Sequence, residues 1–411
     1  MSKKNFMGGF VKGIRALPLF IIPFASLIIL DNAHGQNSKI SAVTSISLQT
    51  NDILAYDLCE TEEKIYICVT NFNKNIINVF EFTDDSLKQI AGIKSPWIFA
   101  YKKPVQILQG KNNCLDLYWE VAKDKNMAVL LLQNLCTGNG SIEELLSYPA
   151  NKYFDLMIVP SGKDEGYLSY ADISDRQFVF NIGHDLFQGY LKHYLLPLSN
   201  LCSERRINIQ KRGKYHVQGV NGIKYNQDLD GLYTIWVDDY GCYNKGDNVW
   251  FACLNEKGWK IRKKIFARKY KQTHSPMASP LKLISNDKCF VAFWESSINL
   301  PSNNMVQFIK INKNDYTVDR TDSLNRRTLF GDAVIDETGK IHCFVFSDKK
   351  EYIVINEDGS KNIQQINNNP KSFGFVGPRI TVAVDGVLCV FWLSHEKESD
   401  NKYISYFKVH P

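Results

Sequence analysis

Apolar and polar positions along this chain fall into short blocks. From residue 53 onward, runs rich in Val, Ile, Leu, Phe and Tyr are separated by turns rich in Asn, Asp, Gly and Lys. This is the pattern of half-buried strands joined by hairpins. The clearest block is Val387-Leu388-Cys389-Val390-Phe391-Trp392, which follows Asp385-Gly386 and leads into a polar run at 394–402. Versions of it recur about every fifty residues, so the sequence reads as an array of similar β units.

The first unit occupies 53–82, with strands at 64–69 and 76–82 around a polar turn at 71–75. The second uses 104–108, 114–119 and 127–132, and the third 154–159, 166–170 and 178–182. After a long gap at 183–214, the fourth uses 220–225, 232–237 and 249–254. The fifth uses 281–284, 289–294 and 305–311, the sixth 332–335, 341–346 and 352–355, and the seventh 379–384, 387–392 and 403–409. Seven units of three strands, each with a variable fourth, predict an all-β fold, a seven-bladed β-propeller. The last unit ends on its third strand, whereas 40–48 alternates like a strand with no local partner. Pairing the two in one blade would close the ring and remove a sheet edge.

Composition supports a single β domain at 36–411: aromatics are 12% of residues, with 20 Tyr and 24 Phe, side chains that suit a pleated surface. Net charge is +6, with Lys3, Lys4, Lys12 and Arg15 carrying four of the positive charges. No polybasic block points to nucleic acid as a partner. Residues 1–35 read as a signal peptide: a basic segment, an apolar run at 16–30 and the small-residue site Ala33-His34-Gly35. That run is shorter than the about 20 residues needed to span a bilayer; the competing reading is an uncleaved anchor. The expected product is a monomer exported to a periplasm or to the outside, meeting the membrane only through its signal sequence. Of ten Cys, five (Cys68, Cys114, Cys289, Cys343 and Cys389) lie inside apolar strands, where a thiol packs as a small hydrophobe. Cys59 with Cys68, or Cys202 with Cys242, are the pairs that could be bridged.

In a propeller, the end of each second strand and the start of each innermost strand share one rim. The residues following the second strands include Glu120, Asp172, Asp238, Asp239, Glu295, His395 and Glu396. Those preceding the innermost strands include Lys102, Lys103, Tyr153, Tyr215, His216, His274, Arg326, Arg327 and Lys371. Carboxylates, cations, imidazoles and aromatics on one face suit a sugar or an anionic polymer; against this, any rim of loops collects polar residues. His274, just before an inner strand, is the leading single candidate, whereas His342 is expected to pack between blades. No cofactor is expected. Asn226, Asp228 and Asp230 have the alternating oxygen ligands of a calcium loop, but Val237 stands where an EF-hand has Glu, and a plain tight turn is the favoured reading.

The run Gly377-Pro378-Arg379-Ile380, continuing through Asp385-Gly386 to Trp392, resembles the repeat of secreted bacterial propellers with sialidase-like, BNR-type repeats. The turns at 255–259 and 356–360 resemble the Asp box of that group in degenerate form, since Ser360 supplies no aromatic. The resemblance implies an exported propeller that recognises, and if catalytic cleaves, a carbohydrate or polysaccharide. No Arg occurs between Arg15 and Arg176, so the arginine triad of a standard sialidase is excluded. Three readings remain. A polysaccharide lyase would use Arg327 or Lys102 to neutralise a uronate, with His274, His216 or Tyr215 as base. A glycoside hydrolase would draw its carboxyl pair from Asp238, Asp239 and Glu295. A non-catalytic propeller would hold a glycan or a protein partner on the same face, with Lys102, Glu120, Tyr153, Asp172, Asp239, His395 and Glu396 as contacts.

Overall fold

A computed structural model describes residues 39–50, 52–61, 63–83, 85–100, 103–110, 114–136, 140–150, 153–160, 167–179, 188–198, 201, 207–208, 216–218, 223–228, 231–239, 246–255, 258–269, 278–297, 304–326, 329–346, 350–366, 377–382, 386–395 and 401–410. All regular structure in them is β. The chain opens with β1 (Lys39–Ile40) and β2 (Thr44–Ser47), and the first unit then follows as β3 (Leu54–Glu60), β4 (Ile65–Asn71), β5 (Ile76–Thr83) and β6 (Ser86–Lys94). The second comprises β7 (Ile98–Phe99), β8 (Gln106–Gln109), β9 (Leu115–Ala122), β10 (Met127–Asn134) and β11 (Glu143–Pro149). The third has β12 (Tyr153–Val159), β13 (Tyr167–Val179), β14 (Gln188–Pro197) and β15 (Ile207–Asn208). The fourth has β16 (His216–Gln218), β17 (Ile223–Asp228), β18 (Gly231–Asp239), β19 (Gly246–Asn255) and β20 (Gly258–Lys269). Next come β21 (Ala278–Ser285), β22 (Cys289–Ser297), β23 (Asn304–Asn312) and β24 (Val318–Arg326), then β25 (Leu329–Ile335), β26 (Ile341–Phe346), β27 (Lys350–Ile355) and β28 (Lys361–Gln365). The chain finishes with β29 (Arg379–Val382), β30 (Leu388–His395) and β31 (Lys402–His410).

The fold is an all-β propeller, with one correction to its count. The described strands form six sheets instead of seven. The reason is β16, which pairs with β14 of the third unit and β18 of the fourth, joining both units into one nine-stranded sheet. Within each unit the strands pair antiparallel in sequence order, as short hairpins require. The lone N-terminal segment pairs with β31 through Lys39↔His410 and Ile40↔Val409, then through Thr44↔Tyr406 to Ser47↔Tyr403. It is two short strands instead of one, because Ser41 interrupts the ladder: its hydroxyl accepts from the Lys408 N–H at 2.8 Å.

Core packing follows from alternation. Each hydrophobic cluster lies between consecutive units, as where Tyr233, Phe251 and Trp294 meet Phe290 and Ile309. One cluster joins the two ends of the chain, packing Leu54, Tyr56 and Ile67 against Cys389, Phe391 and Tyr406. The Tyr56 hydroxyl donates to the carbonyls of Phe391 (2.9 Å) and Gly377 (3.0 Å). Trp236, Trp294 and Trp392 are completely buried.

The cysteines depart from expectation at one position. Cys114 is not a packing thiol but is bonded to Cys136, tying the start of β9 to the segment after β10. Cys59 and Cys68 are free and buried, while Cys202 and Cys242 lie outside the described residues. His342 is buried, but its bonds stay within its own sheet and turn: Nδ1 lies 2.6 Å from the Tyr352 hydroxyl and Nε2 3.0 Å from Asp336 Oδ2.

Candidate functional site

Strands β9, β18, β22 and β30 each run three residues past their tryptophans, Trp119, Trp236, Trp294 and Trp392. Glu120, Asp238, Asp239, Glu295 and His395 are therefore strand residues, where loop positions were expected. The equivalence is regular: Glu120 and Glu295 stand one place after their Trp, and Asp239 and His395 three places after. Strand alternation puts Glu120, Glu295 and His395 on the blade face opposite the buried indole. Asp172 likewise lies within β13.

Backbone register brings several expected neighbours together. Tyr153 is directly opposite Asp172, and His216 is opposite Asp239, with Val217 opposite Asp238. Glu295 pairs with Ser279 at the start of β21, and the Glu120 carbonyl accepts from Ala100 N at 3.0 Å. His395 ends β30 opposite Lys402. Antiparallel pairing sets the start of an innermost strand against the later part of its partner, so these positions lie toward one end of their blades, although β13 continues past Asp172 to Val179. Lys102, Tyr215, Asp230, His274, Arg327 and Glu396 lie outside the described residues.

Among the rim carboxyls, Glu120 has a described environment. Burial pushes its pKa above the usual carboxylate range, opposed by a hydrogen bond from the Tyr148 hydroxyl (2.5 Å) and by the charge of Lys103. A buried carboxyl held by a hydroxyl donor is a polar group that could hydrogen-bond a hydroxylated ligand. Asn226, a candidate calcium ligand, spends its amide on the next unit, donating to the Leu283 carbonyl (3.3 Å) and accepting from Ser285 Oγ (2.9 Å). Its strand β17 pairs with β18 down to Asp228↔Gly231.

The sequence reading missed a set of polar groups on the innermost strands. Gln106 both donates to the Ile158 carbonyl (2.6 Å) and accepts from the Ile158 N–H (2.9 Å). Asp57 accepts from Ile107 N (3.3 Å) and faces Arg379 at 3.7 Å; burial raises its pKa, with Arg379 opposing. Asp332 pairs with Lys282 and accepts from Ile380 N (2.8 Å). Glu60 accepts from Thr381 Oγ1 and from Val382 N at 3.2 Å. Each group reaches the innermost strand of a neighbouring unit. A usable signal existed: Gln106, Lys282 and Arg379 all sit opposite the residue just before a tryptophan, and Asp332 sits opposite Phe344.

No family model matches this chain, and no curated protein matches it. Among solved structures it is similar to a puromycin-hydrolyzing peptidase of Mycobacterium tuberculosis, with TM-score 0.51 and 9% identity, over 85% of this chain and 52% of that one. It is also similar to the β-propeller domain of the Trilobed protease from Pyrococcus furiosus, with TM-score 0.48, 11% identity and coverage of 86% and 92%. A third is the polysaccharide lyase Uly1, with TM-score 0.48, 8% identity and coverage of 89% and 94%. The chain thus spans about half the length of the peptidase it matches. At these identities the likeness concerns the propeller fold alone.

Proposed function

We propose that this protein is an exported propeller that recognises a carbohydrate or polysaccharide on the face gathering Glu120, Tyr153, Asp172, His216, Asp238, Asp239, Glu295 and His395. The observation that carries the reading is the register: Tyr153 stands opposite Asp172 and His216 opposite Asp239, at blade ends equivalent to those of Glu120 and Glu295. Carboxylates and imidazoles accept and donate hydrogen bonds to hydroxyls, while an aromatic offers an apolar face. His274, Tyr215, Arg327, Lys102 and Glu396 complete the proposed set from sequence position. The reading includes closure of the ring by the N-terminal strands, which is supported by the addition of β1 and β2 to β31 and by the hydrogen bond from the Tyr56 hydroxyl to the Phe391 carbonyl. Export is supported by the N-terminal pattern and by the Cys114–Cys136 bridge, a bond favoured in oxidising compartments.

The test is a screen of the purified chain against neutral and acidic polysaccharides, reading binding together with new reducing ends and unsaturated products. Binding that is lost on substituting Glu120 and Asp239 supports the reading; absence of binding across the panel removes it. Unsaturated products identify a lyase and new reducing ends a hydrolase. Binding without either product identifies the non-catalytic scaffold, a second reading favoured by one observation: Asp57, Asp332 and Glu60 on the innermost strands are already engaged in bonds between units.

A further inference from the structure

The innermost strands lie side by side around the propeller axis: β3 beside β8, β17 beside β21, β21 beside β25, β25 beside β29 and β29 beside β3. They present polar residues at one equivalent level. Gln106, Lys282 and Arg379 stand opposite the residue that precedes a tryptophan, as does Lys224, opposite Ile235. Asp57 and Asp332 fall at the same level by their bonds. Each accepts from the N–H that follows a level residue of the next unit, Ile107 at 3.3 Å and Ile380 at 2.8 Å, just as Gln106 accepts from Ile158 N–H at 2.9 Å. From the fifth unit round to the first, the charges at this level alternate as Lys282, Asp332, Arg379 and Asp57.

The cations keep an open side. The side chains of Lys282 and Arg379 are 30% and 41% exposed, although the residues that follow them, Leu283 and Ile380, are buried. Polar groups exposed in this way on innermost strands reach the central channel of a propeller. Lys282 spends its ammonium on Asp332. Arg379 differs, because its ion pair with Asp57 Oδ1 spans 3.7 Å, beyond hydrogen-bonding distance. Among the described residues, nothing accepts a hydrogen bond from its guanidinium, so the donors of that fork remain for another partner. The channel also encloses it: burial works against the Arg379 charge, and Asp57 and Asp332 outweigh that and raise its pKa. This level lies close to the rim, since Tyr118 and Phe293, opposite Gln106 and Lys282, precede Glu120 and Glu295 by two strand residues, about 7 Å.

We infer that the channel at Arg379 and Asp57 is a subsite for one neutral sugar unit of the glycan whose adjoining part lies on the rim. A sugar hydroxyl both accepts and donates, so it fits a level where guanidinium donors sit beside a carboxylate, and hydrogen bonds to charged groups are the stronger ones. A uronate would gain Arg379 but meet Asp57 and Asp332 on either side of it, and like charges select against that ligand. Asp57 and Asp332 already accept from backbone N–H groups, so the subsite binds and orients without supplying an acid or a base. The inference rests on the carbohydrate reading of the rim and deepens it, giving the ligand a charge class and one of its units a place.

The test measures binding of the full chain to linear hexasaccharides of glucose, mannose, xylose and galactose, and to hexagalacturonate. Phenylglyoxal labelling of Arg379, read by peptide mass spectrometry with and without saturating sugar, reports on the subsite in the unaltered chain. A neutral hexasaccharide is expected to bind wild type and to suppress that labelling. Arg379→Gln is expected to bind it about tenfold more weakly, with a thermal melt showing that the variant is folded. Arg379→Lys keeps a cation beside Asp57 but loses the planar fork, and is expected to weaken binding as well. Unchanged labelling, or unchanged affinity in a folded Arg379 variant, overturns the subsite; the rim reading then stands if substituting Glu120 and Asp239 abolishes binding. Binding of hexagalacturonate alone likewise overturns the subsite and leaves the rim. Binding of none of these sugars removes both.

Discussion

Asp332 is the most sensitive point in the bonds that join the units. Its side chain is 2% exposed, pairs with Lys282 of the preceding unit and accepts from Ile380 N–H of the following one. In Asp332→Ala, the Ile380 N–H is left buried without an acceptor, at a cost of about 1–3 kcal/mol. Lys282 also loses its partner. Because its side chain is 30% exposed, water recovers part of its solvation, and the total falls at the low end of the about 3–5 kcal/mol for breaking a buried pair. The expected loss is about 3 kcal/mol, read from urea unfolding. Asp322→Ala, which removes a more exposed pair with Lys361 (3.2 Å), is expected to cost less than about 1 kcal/mol. Lys282→Met combined with Asp332→Ala should recover part of the loss, because no uncompensated cation remains. A stability for Asp332→Ala within about 0.5 kcal/mol of wild type would refute the reasoning.

Glu120 has a raised pKa through burial, so it favours folding in its protonated form. Its contribution is full below the ordinary Glu value and is lost as pH rises through the raised one. Glu120→Gln should therefore flatten the stability profile across that window and be relatively more stable at neutral pH; parallel profiles for variant and wild type would contradict this. His342 shows the opposite sign: burial lowers its pKa, with Asp336 opposing, so stability is present above the ordinary His value and lost as pH falls through the lowered one. Replacing His342 by Gln should remove this acid-side loss, as followed by thermal melts at pH 7 and pH 5. Changing both Cys114 and Cys136 to Ser should cost about 2–4 kcal/mol, whereas changing free, buried Cys59 to Ala should cost less; equal losses would argue against the bridge.

The strands were legible because β structure writes its period directly into the sequence. Apolar runs ending in Trp119, Trp236, Trp294 and Trp392 mark the buried second strands wherever they occur. Local pattern could not show where pairing stops. Beyond the tryptophans, Glu120, Asp238, Asp239, Glu295 and His395 are polar enough to read as loop, yet they are held in strands by partners such as Val217 opposite Asp238. The fusion of two units by β16 was hidden for a related reason, since His216–Gln218 is too short to carry a period of its own. Cys114 sits in an apolar run and gave no sign of Cys136, whose approach depends on the hairpin folding back. The innermost-strand polar groups were legible in principle, as single hydrophilic residues at equivalent places, but their meaning depends on partners in the neighbouring unit or, for Asp57 with Arg379 and Glu60 with Thr381, at the other end of the chain, which only the fold brings near.

The central claim is that ligand binds at the ends of the second strands. Amide hydrogen exchange of the full chain with and without a bound oligosaccharide from the screen tests it most directly. The account expects new protection at Glu120–Ala122, Asp172, Asp238–Asp239, Glu295–Ser297 and His395, with the opposite blade ends unchanged. Protection confined to those opposite ends, at the turns 61–64, 286–288 and 336–340, would contradict it.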